Sequence, residues 1–292
     1  MGRRWPRRKR SGKSLSAIGA LPATIDEMGS PIRTLVAAAA SRIGYFASKR
    51  TPLADLRRVV DLLRPVDAGR GLLRIGADGD GGYLLPDDLD RISACFSPGV
   101  DRQATFENAL AQRGIGSHLA DRSVATPPAG CAPLSFEPVF LGTFDGEGTT
   151  TLQSWVGRHA PADTGDLLLQ MDIEGAEYGV IDNTERSLLR RFRIVVIEFH
   201  HLDALGQPFV CRRIGEAVEK LRLDFVPVHL HPNNYAGIVR IGGFPVPPLL
   251  EVTFLRRDRC LSTRPRTDFP HLLDCDNVPR KRSVVLPREW YA

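Results

Sequence analysis

The sequence of 292 residues holds no apolar run near the ~20 residues that a membrane-spanning helix needs. Leu35 to Ala40 is bounded by Arg33 and Arg42, and Ser14 to Ala23 is interrupted by Gly19 and Pro22 with no small-residue cleavage site after it. Pro6 stands where an N-myristoylation motif requires Ser or Thr. The five cysteines, Cys95, Cys131, Cys211, Cys260 and Cys275, are odd in number, widely spaced and without a CxxC, which excludes a disulfide framework and a zinc knuckle. From these absences we expect a cytoplasmic protein with reduced thiols. Lysine is scarce, 5 against 34 arginines, which points to genome composition more than to phosphate recognition. Acid is missing from residues 1–13, which carry seven cations, so a net charge of +5 leaves −2 for the rest of the chain. The charge excess belongs to an arm. That implies at most weak contact with an anionic surface and no specific nucleic-acid binding.

What is present is an ordinary globular mix, 42% hydrophobic and 25% charged, which excludes a disordered or collagenous chain. Residues 1–50 read as a basic, flexible arm followed by an alanine-rich peripheral helix, and residues 51–292 as one domain with a wrapping C-terminal tail. Thr51 is expected to cap a helix with Pro52 in its first position and Leu53, Leu56, Val60 and Leu63 at helical spacing. Strand and helix then alternate. Ile92–Ser97, Ser117–Ala120 and Pro138–Leu141 are strand candidates, with helices over Gln103–Gln112 and Leu152–His159. Leu167–Ile173 and Ile194–Phe199 are continuous apolar runs, as expected of strands buried on both faces of a parallel sheet. Ala176–Asp182 and Glu185–Arg191 form the helical crossover between them. A helix from Pro208 to about Arg222 leads to strands Phe225–Leu230 and Leu249–Leu255, whose long Gly/Pro-rich connection contains no helix. Parallel neighbours need a crossover, so these two strands are expected to pair antiparallel. The fold class is therefore α/β, a mostly parallel sheet with one antiparallel strand and helices on both faces.

Open sheets of this kind place a ligand beyond the carboxyl ends of their strands, so the residues there are the candidates for chemistry. Ser97-Pro98-Gly99-Val100-Asp101 leads from the first strand into a helix and can present backbone N–H groups to a ligand, or can be only a connection. Asp121 ends the second strand, where a cofactor-binding sheet of this kind places an acid to accept hydrogen bonds from ribose hydroxyls and where an isolated Asp is otherwise a helix cap. Asp80, Gly82 and Tyr83 stand just before the first strand in a DGGY turn whose glycines permit close approach to a ligand. That segment is not an EF-hand, which needs Gly at Tyr83 and Glu at Leu89. Asp172, Glu174 and Glu177 crowd three carboxylates at the mouth of an apolar strand, a costly arrangement unless a ligand, metal or proton compensates. Helix capping is the competing reading for Asp172 and Glu174. Glu198 and His200 end the next strand, and His229 and His231 the one after it, two histidine pairs at adjacent strand ends of one face that can supply a general base or metal ligands.

Leu167–Ile181, LLLQMDIEGAEYGVI, resembles the hallmark of the FkbM-type methyltransferases, and Ile194–His200, IVVIEFH, resembles the strand that follows it. DGGY at 80–83, SPGVD at 97–101, HPNNY at 231–235, LEVTF at 250–254 and LDCDNVP at 273–279 resemble a methyltransferase-like subgroup. The chain departs from many such enzymes in having no E/DxGxGxG loop. The resemblance spans about residues 70–280 and implies a Rossmann-like class I methyltransferase that binds S-adenosyl-L-methionine. It implies O-methylation of a sugar, glycolipid or polyketide-type metabolite, so the expected partner is a small-molecule or glycan acceptor. The implied cofactor contacts are Asp80, Gly82, Tyr83, Ser97, Gly99, Asp101, Asp121 and Asp172. Asp172, Glu174, Glu198 and His200 are the expected catalytic group, with His200 or Glu174 taking the acceptor's proton. A divalent metal is the less favoured addition, because no HxxxH-type spacing supports it. The rival readings are a methyltransferase-fold binding protein without catalysis and a metal-dependent hydrolase using the same acids and histidines.

Overall fold

In the computed structural model, residues 34, 35, 38, 49–162 and 164–292 are described. The basic arm, and most of the helix expected over 35–40, lie outside the described residues. Seven segments pair into one sheet: β1 (Ala94–Pro98), β2 (Ser117–Ala120), β3 (Ser135–Glu137), β4 (Leu167–Met171), β5 (Phe192–Phe199), β6 (Phe225–Pro232) and β7 (Leu250–Arg256). Their spatial order is β6-β7-β5-β4-β1-β2-β3. Strand β7 runs antiparallel to both β5 and β6, and the other neighbours are parallel. The expected reversed strand is therefore present, one place in from the edge. This is a mostly parallel, Rossmann-like sheet.

Every residue of β4 and β5 is buried, as their unbroken apolar runs require. Alternate residues of each strand serve opposite faces. Leu169, Met171, Val195, Ile197 and Phe199 join a core with helices α1 (Leu53–Leu63), α3 (Leu152–His159), α4 (Glu177–Asn183) and α5 (Pro208–Arg222). Leu168, Ile194 and Val196 join a second core on the other face, closed by α2 (Thr105–Ala111) and by a hairpin of Leu72–Gly76 against Gly82–Pro86. The hairpin was not read from the sequence. Its DGDG turn looks like a ligand loop, while its two strands extend from it in antiparallel register. In the tail after β7, Trp290 is fully buried and its Nε1 donates to the Pro245 carbonyl at 3.0 Å.

Two local expectations are corrected. Thr51 does not cap α1, because Pro52 is the N-cap and no side chain bonds the first turn. The third strand is Ser135–Glu137, whereas Phe140–Gly142 pairs outside the central sheet with Thr149–Thr151.

The chain runs outward from β1 through β2 to β3 and then begins again on the other side of β1 with β4. The order of strands thus switches between β1 and β4, and a crevice opens beyond their carboxyl ends. Gly99 and Asp172 face each other across it.

Candidate active site

Gly99 must be glycine. Its φ is +85°, and a Cβ there would meet the Asp172 carbonyl oxygen at 1.6 Å. The loop it begins turns beneath Asp121, whose carboxylate accepts from the Asp101 N–H at 2.8 Å and the Ser123 N–H at 2.7 Å, one bond per oxygen. Each oxygen keeps a lone pair for a further donor. Asp80, Gly99, Asp101, Asp121, Phe140 and Asp172 stand on the wall of a cavity of about 490 Å³, within the size range of small-molecule sites. A smaller recess of about 80 Å³ shares Asp80, Gly99, Asp101 and Asp172 with it and reaches Gly81 and Tyr83. The residues at the switch point therefore fit a nucleoside-bearing cofactor. They offer an acid at the end of β2, a close-packed glycine turn and a wall open to both.

Two expected contacts lie elsewhere. Gly82 is buried against its own hairpin, where a Cβ would meet the Ala77 carbonyl oxygen at 1.9 Å, and its neighbour Gly81 lines the recess instead. The Ser97 hydroxyl points into the protein, 2.5 Å from Glu107 Oε1 and 2.6 Å from Gln170 Oε1. Burial pushes the Glu107 carboxyl upward, against the hydrogen bond from Ser97. Gln170 Nε2 in turn donates to the Tyr83 hydroxyl at 3.1 Å. Burial, and then the charges of Asp172, Glu251, Glu198 and Asp80, hold the Tyr83 phenol well above its usual range. Tyr83 is thus a neutral wall of the recess.

At the paired ends of β4 and β5 four carboxylates surround one imidazole. Glu177, fully buried, accepts at Oε1 from the N–H groups of Ile173 and Gly175, each at 3.1 Å, and lies 3.0 Å from His200 Nδ1. This fixes the ring, whose Nε2 faces Asp172 Oδ1 at 3.7 Å and Glu174 Oε2 at 3.4 Å. Burial works against a charge on His200, but the hydrogen bond and charge of Glu177, with those of Asp172 and Glu198, outweigh it and raise the ring to about 9. Burial first, then Glu174, Glu177 and Asp80, bring Asp172 up to about 7 against the pull of His200.

The expectation that His229 and His231 stand next to the Glu198–His200 strand is also corrected. β7 lies between β5 and β6, which sets the two histidine pairs roughly 10 Å apart, two strand spacings. His229 Nε2 is bonded to Asp274 Oδ1 at 2.8 Å. Across those three strands, in register, stand Glu198, Glu251 and His231. Asn233 Nδ2 donates to Glu198 Oε1 at 2.9 Å, and Asn277 Nδ2 to Glu251 Oε1 at 2.6 Å. Glu251 and Asn277 were not read as site residues, because one lies in a strand that reads as core and the other in the tail.

Comparison with known proteins agrees with the motifs. Residues 145–224 match the family described as the methyltransferase FkbM domain. They contain both the DIEGAE turn and the EFH strand end. No curated protein matches the chain. Among solved structures, the chain is similar to the N-methyltransferase NodS from Bradyrhizobium japonicum WM9, at 11% identity and a TM-score of 0.31 over 56% of this chain and 86% of that one. Asp172, Glu174, Glu177, Glu198 and His200 all lie within the segment that matches the methyltransferase FkbM domain.

Proposed function

We propose that the protein is an S-adenosylmethionine-dependent O-methyltransferase acting on a hydroxyl of a sugar, glycolipid or polyketide-type metabolite. The observation that carries this reading is the shared wall at the switch point: Asp121 and the Gly99 turn on one side of the cavity, Asp172 and Glu174 on the other. When bound, S-adenosylmethionine supplies a methyl group already activated by its sulfonium. Asp121 would hold the ribose hydroxyls, and Gly99 and Asp101 would border the amino-acid portion. The protein's remaining tasks are to align the acceptor oxygen and to remove its proton as the methyl moves. A free alcohol is far too weak an acid to ionise unaided at neutral pH, so the acids at the ends of β4 and β5 are where that proton is accepted. An acid-rich turn suits an alcohol, because an exocyclic amine is recognised by donors and acceptors that cradle it and not by a ring of carboxylates. The free thiols of all five cysteines fit a cytoplasmic setting.

Isothermal titration with S-adenosylmethionine tests the reading. Saturable binding that Asp121→Ala weakens supports it, and absence of binding in the folded wild-type chain overturns it. Binding without methyl transfer to any hydroxylated acceptor in a sugar, glycolipid and polyketide panel would favour a binding protein. Release of hydrolysis products without S-adenosylmethionine would favour the hydrolase.

A further inference from the structure

The DIEGAE turn and the EFH strand end hold a group for which methyl-donor binding gives no use. His200 is 6% exposed, and its Nε2 makes no hydrogen bond among the described residues although it lies within 4 Å of the Asp172 and Glu174 carboxylates. Its other nitrogen is locked by Glu177, which is itself pinned by two backbone N–H groups. A carboxylate behind a histidine that presents its far nitrogen to two further carboxylates is the arrangement that orients a metal-binding imidazole. One ligand atom each from Asp172, Glu174 and His200 lies within 4.8 Å of the others. An octahedral ion with ligands at about 2.1 Å places neighbouring donors ~3 Å and opposite donors ~4.2 Å apart. The 3.4 and 3.7 Å separations from Nε2 fall inside that range, and the Glu174 side chain, 89% exposed, has room to close the widest gap.

We infer that Asp172, Glu174 and His200 bind one divalent cation of the magnesium–manganese class, which seats two neighbouring oxygens of the acceptor, as in a vicinal diol or a hydroxy-carbonyl group. The inference rests on the methyltransferase reading for the acceptor's role, but not for the ion. Two carboxylates with one imidazole favour a hard, octahedral cation over zinc, whose sites are richer in nitrogen and sulfur. Three protein ligands leave three positions open. Asp172 lies on the wall of both cavities, so those positions face the space where an acceptor meets the cofactor. Glu177 is not a ligand: its Oε1 already serves two amides and the ring, and it acts as a positioning residue behind His200. Glu198 is turned to Asn233 and stands aside.

The test is titration of the full chain with Mn²⁺, followed by electron paramagnetic resonance, in the absence of S-adenosylmethionine. One saturable Mn²⁺ per chain, displaced by Mg²⁺, is expected. Asp172→Asn and Glu174→Gln should each weaken it by at least tenfold, and Glu177→Gln by about 10–100-fold through loss of ring orientation. Glu174 is exposed, so Glu174→Gln keeps the fold, which a thermal melt verifies. Absence of saturable Mn²⁺ binding, or an affinity unchanged in both Asp172→Asn and Glu174→Gln, overturns the site. Titration of the same samples with S-adenosylmethionine separates the two readings. Cofactor binding without Mn²⁺ binding overturns the cation site alone. Mn²⁺ binding without cofactor binding supports the ion site and overturns the methyltransferase reading.

Discussion

Replacing Gly99 with alanine perturbs a close contact that joins the two halves of the crevice. The new Cβ would lie 1.6 Å from the Asp172 carbonyl oxygen and 2.7 Å from its carbonyl carbon. A carbon and a carbonyl oxygen come no closer than about 3.3 Å, so the turn and the end of β4 must part by roughly 1.5–2 Å. The φ of +85° adds about 1–2 kcal/mol for an L-residue, and overpacking of this kind adds typically 1–3 kcal/mol. The variant should therefore lose at least about 2 kcal/mol, which for a chain of this size lowers Tm by roughly 4–8 °C. The same movement carries Asp101 away from Asp121 and Asp172 away from the cavity. A displacement near 1 Å costs on the order of 100-fold in a preorganised site, so S-adenosylmethionine binding and turnover should fall together. Urea unfolding followed by circular dichroism reads the first effect, and isothermal titration the second. Gly71→Ala is the control, since nothing lies within 4 Å of its added Cβ. A Gly99→Ala protein as stable as wild type and binding the cofactor equally would refute the close packing at the switch point.

Asp121→Ala should weaken S-adenosylmethionine binding by more than tenfold, ~1.4 kcal/mol, as loss of charge-assisted hydrogen bonds requires; an unchanged dissociation constant in a folded variant would remove it from the cofactor site. His200→Ala and Glu174→Gln should each lower turnover by ~10²-fold or more with cofactor affinity within a few fold, and near-wild-type rates on a true acceptor would return both to packing roles. Burial works to raise the Asp274 carboxyl, but the hydrogen bonds and charges of His229 and His231 hold it far below its usual range. Its contribution is thus complete above about pH 4 and lost as pH falls toward its folded value, so Asp274→Asn should flatten the acid limb of a stability-against-pH curve; parallel limbs would contradict the pairing. Removing residues 1–49 should lower retention on heparin and leave cofactor affinity intact, and a loss of affinity would tie that segment to the site.

The parts legible in the sequence were those where burial leaves no choice. The runs LLLQM and FRIVVIEF are buried at every position, and only a strand covered on both faces tolerates that. The reversal of β7 was legible because its connection from β6 has no helix. The edge was not legible: β3 has three half-buried residues, so no period of two marks it, and a neighbouring apolar pair drew the expectation to 138–141.

In the site, residues at strand ends were found because topology predicts where ligands bind. Of the acids that organise them, Glu107 was missed because it lies on a helix, where a lone Glu ordinarily faces water, and Glu177 was legible only as one of three crowded carboxylates. Yet Glu107 and Glu177 each stand on the apolar stripe of a short helix, Glu107 three residues before Leu110 and Glu177 three and four before Val180 and Ile181. A charged residue in that position must be neutralised by a proton or by a buried partner, since an isolated buried charge is too costly to keep. Both acids find partners. Glu107 accepts from the Ser97 hydroxyl, while Glu177 meets two amides and the ring of His200. The first stabilises the wall of the recess, and the second aims an imidazole at the crevice. An acid in the apolar stripe just after a strand end is therefore a mark of the group that orients a site, one residue behind those that touch its ligand.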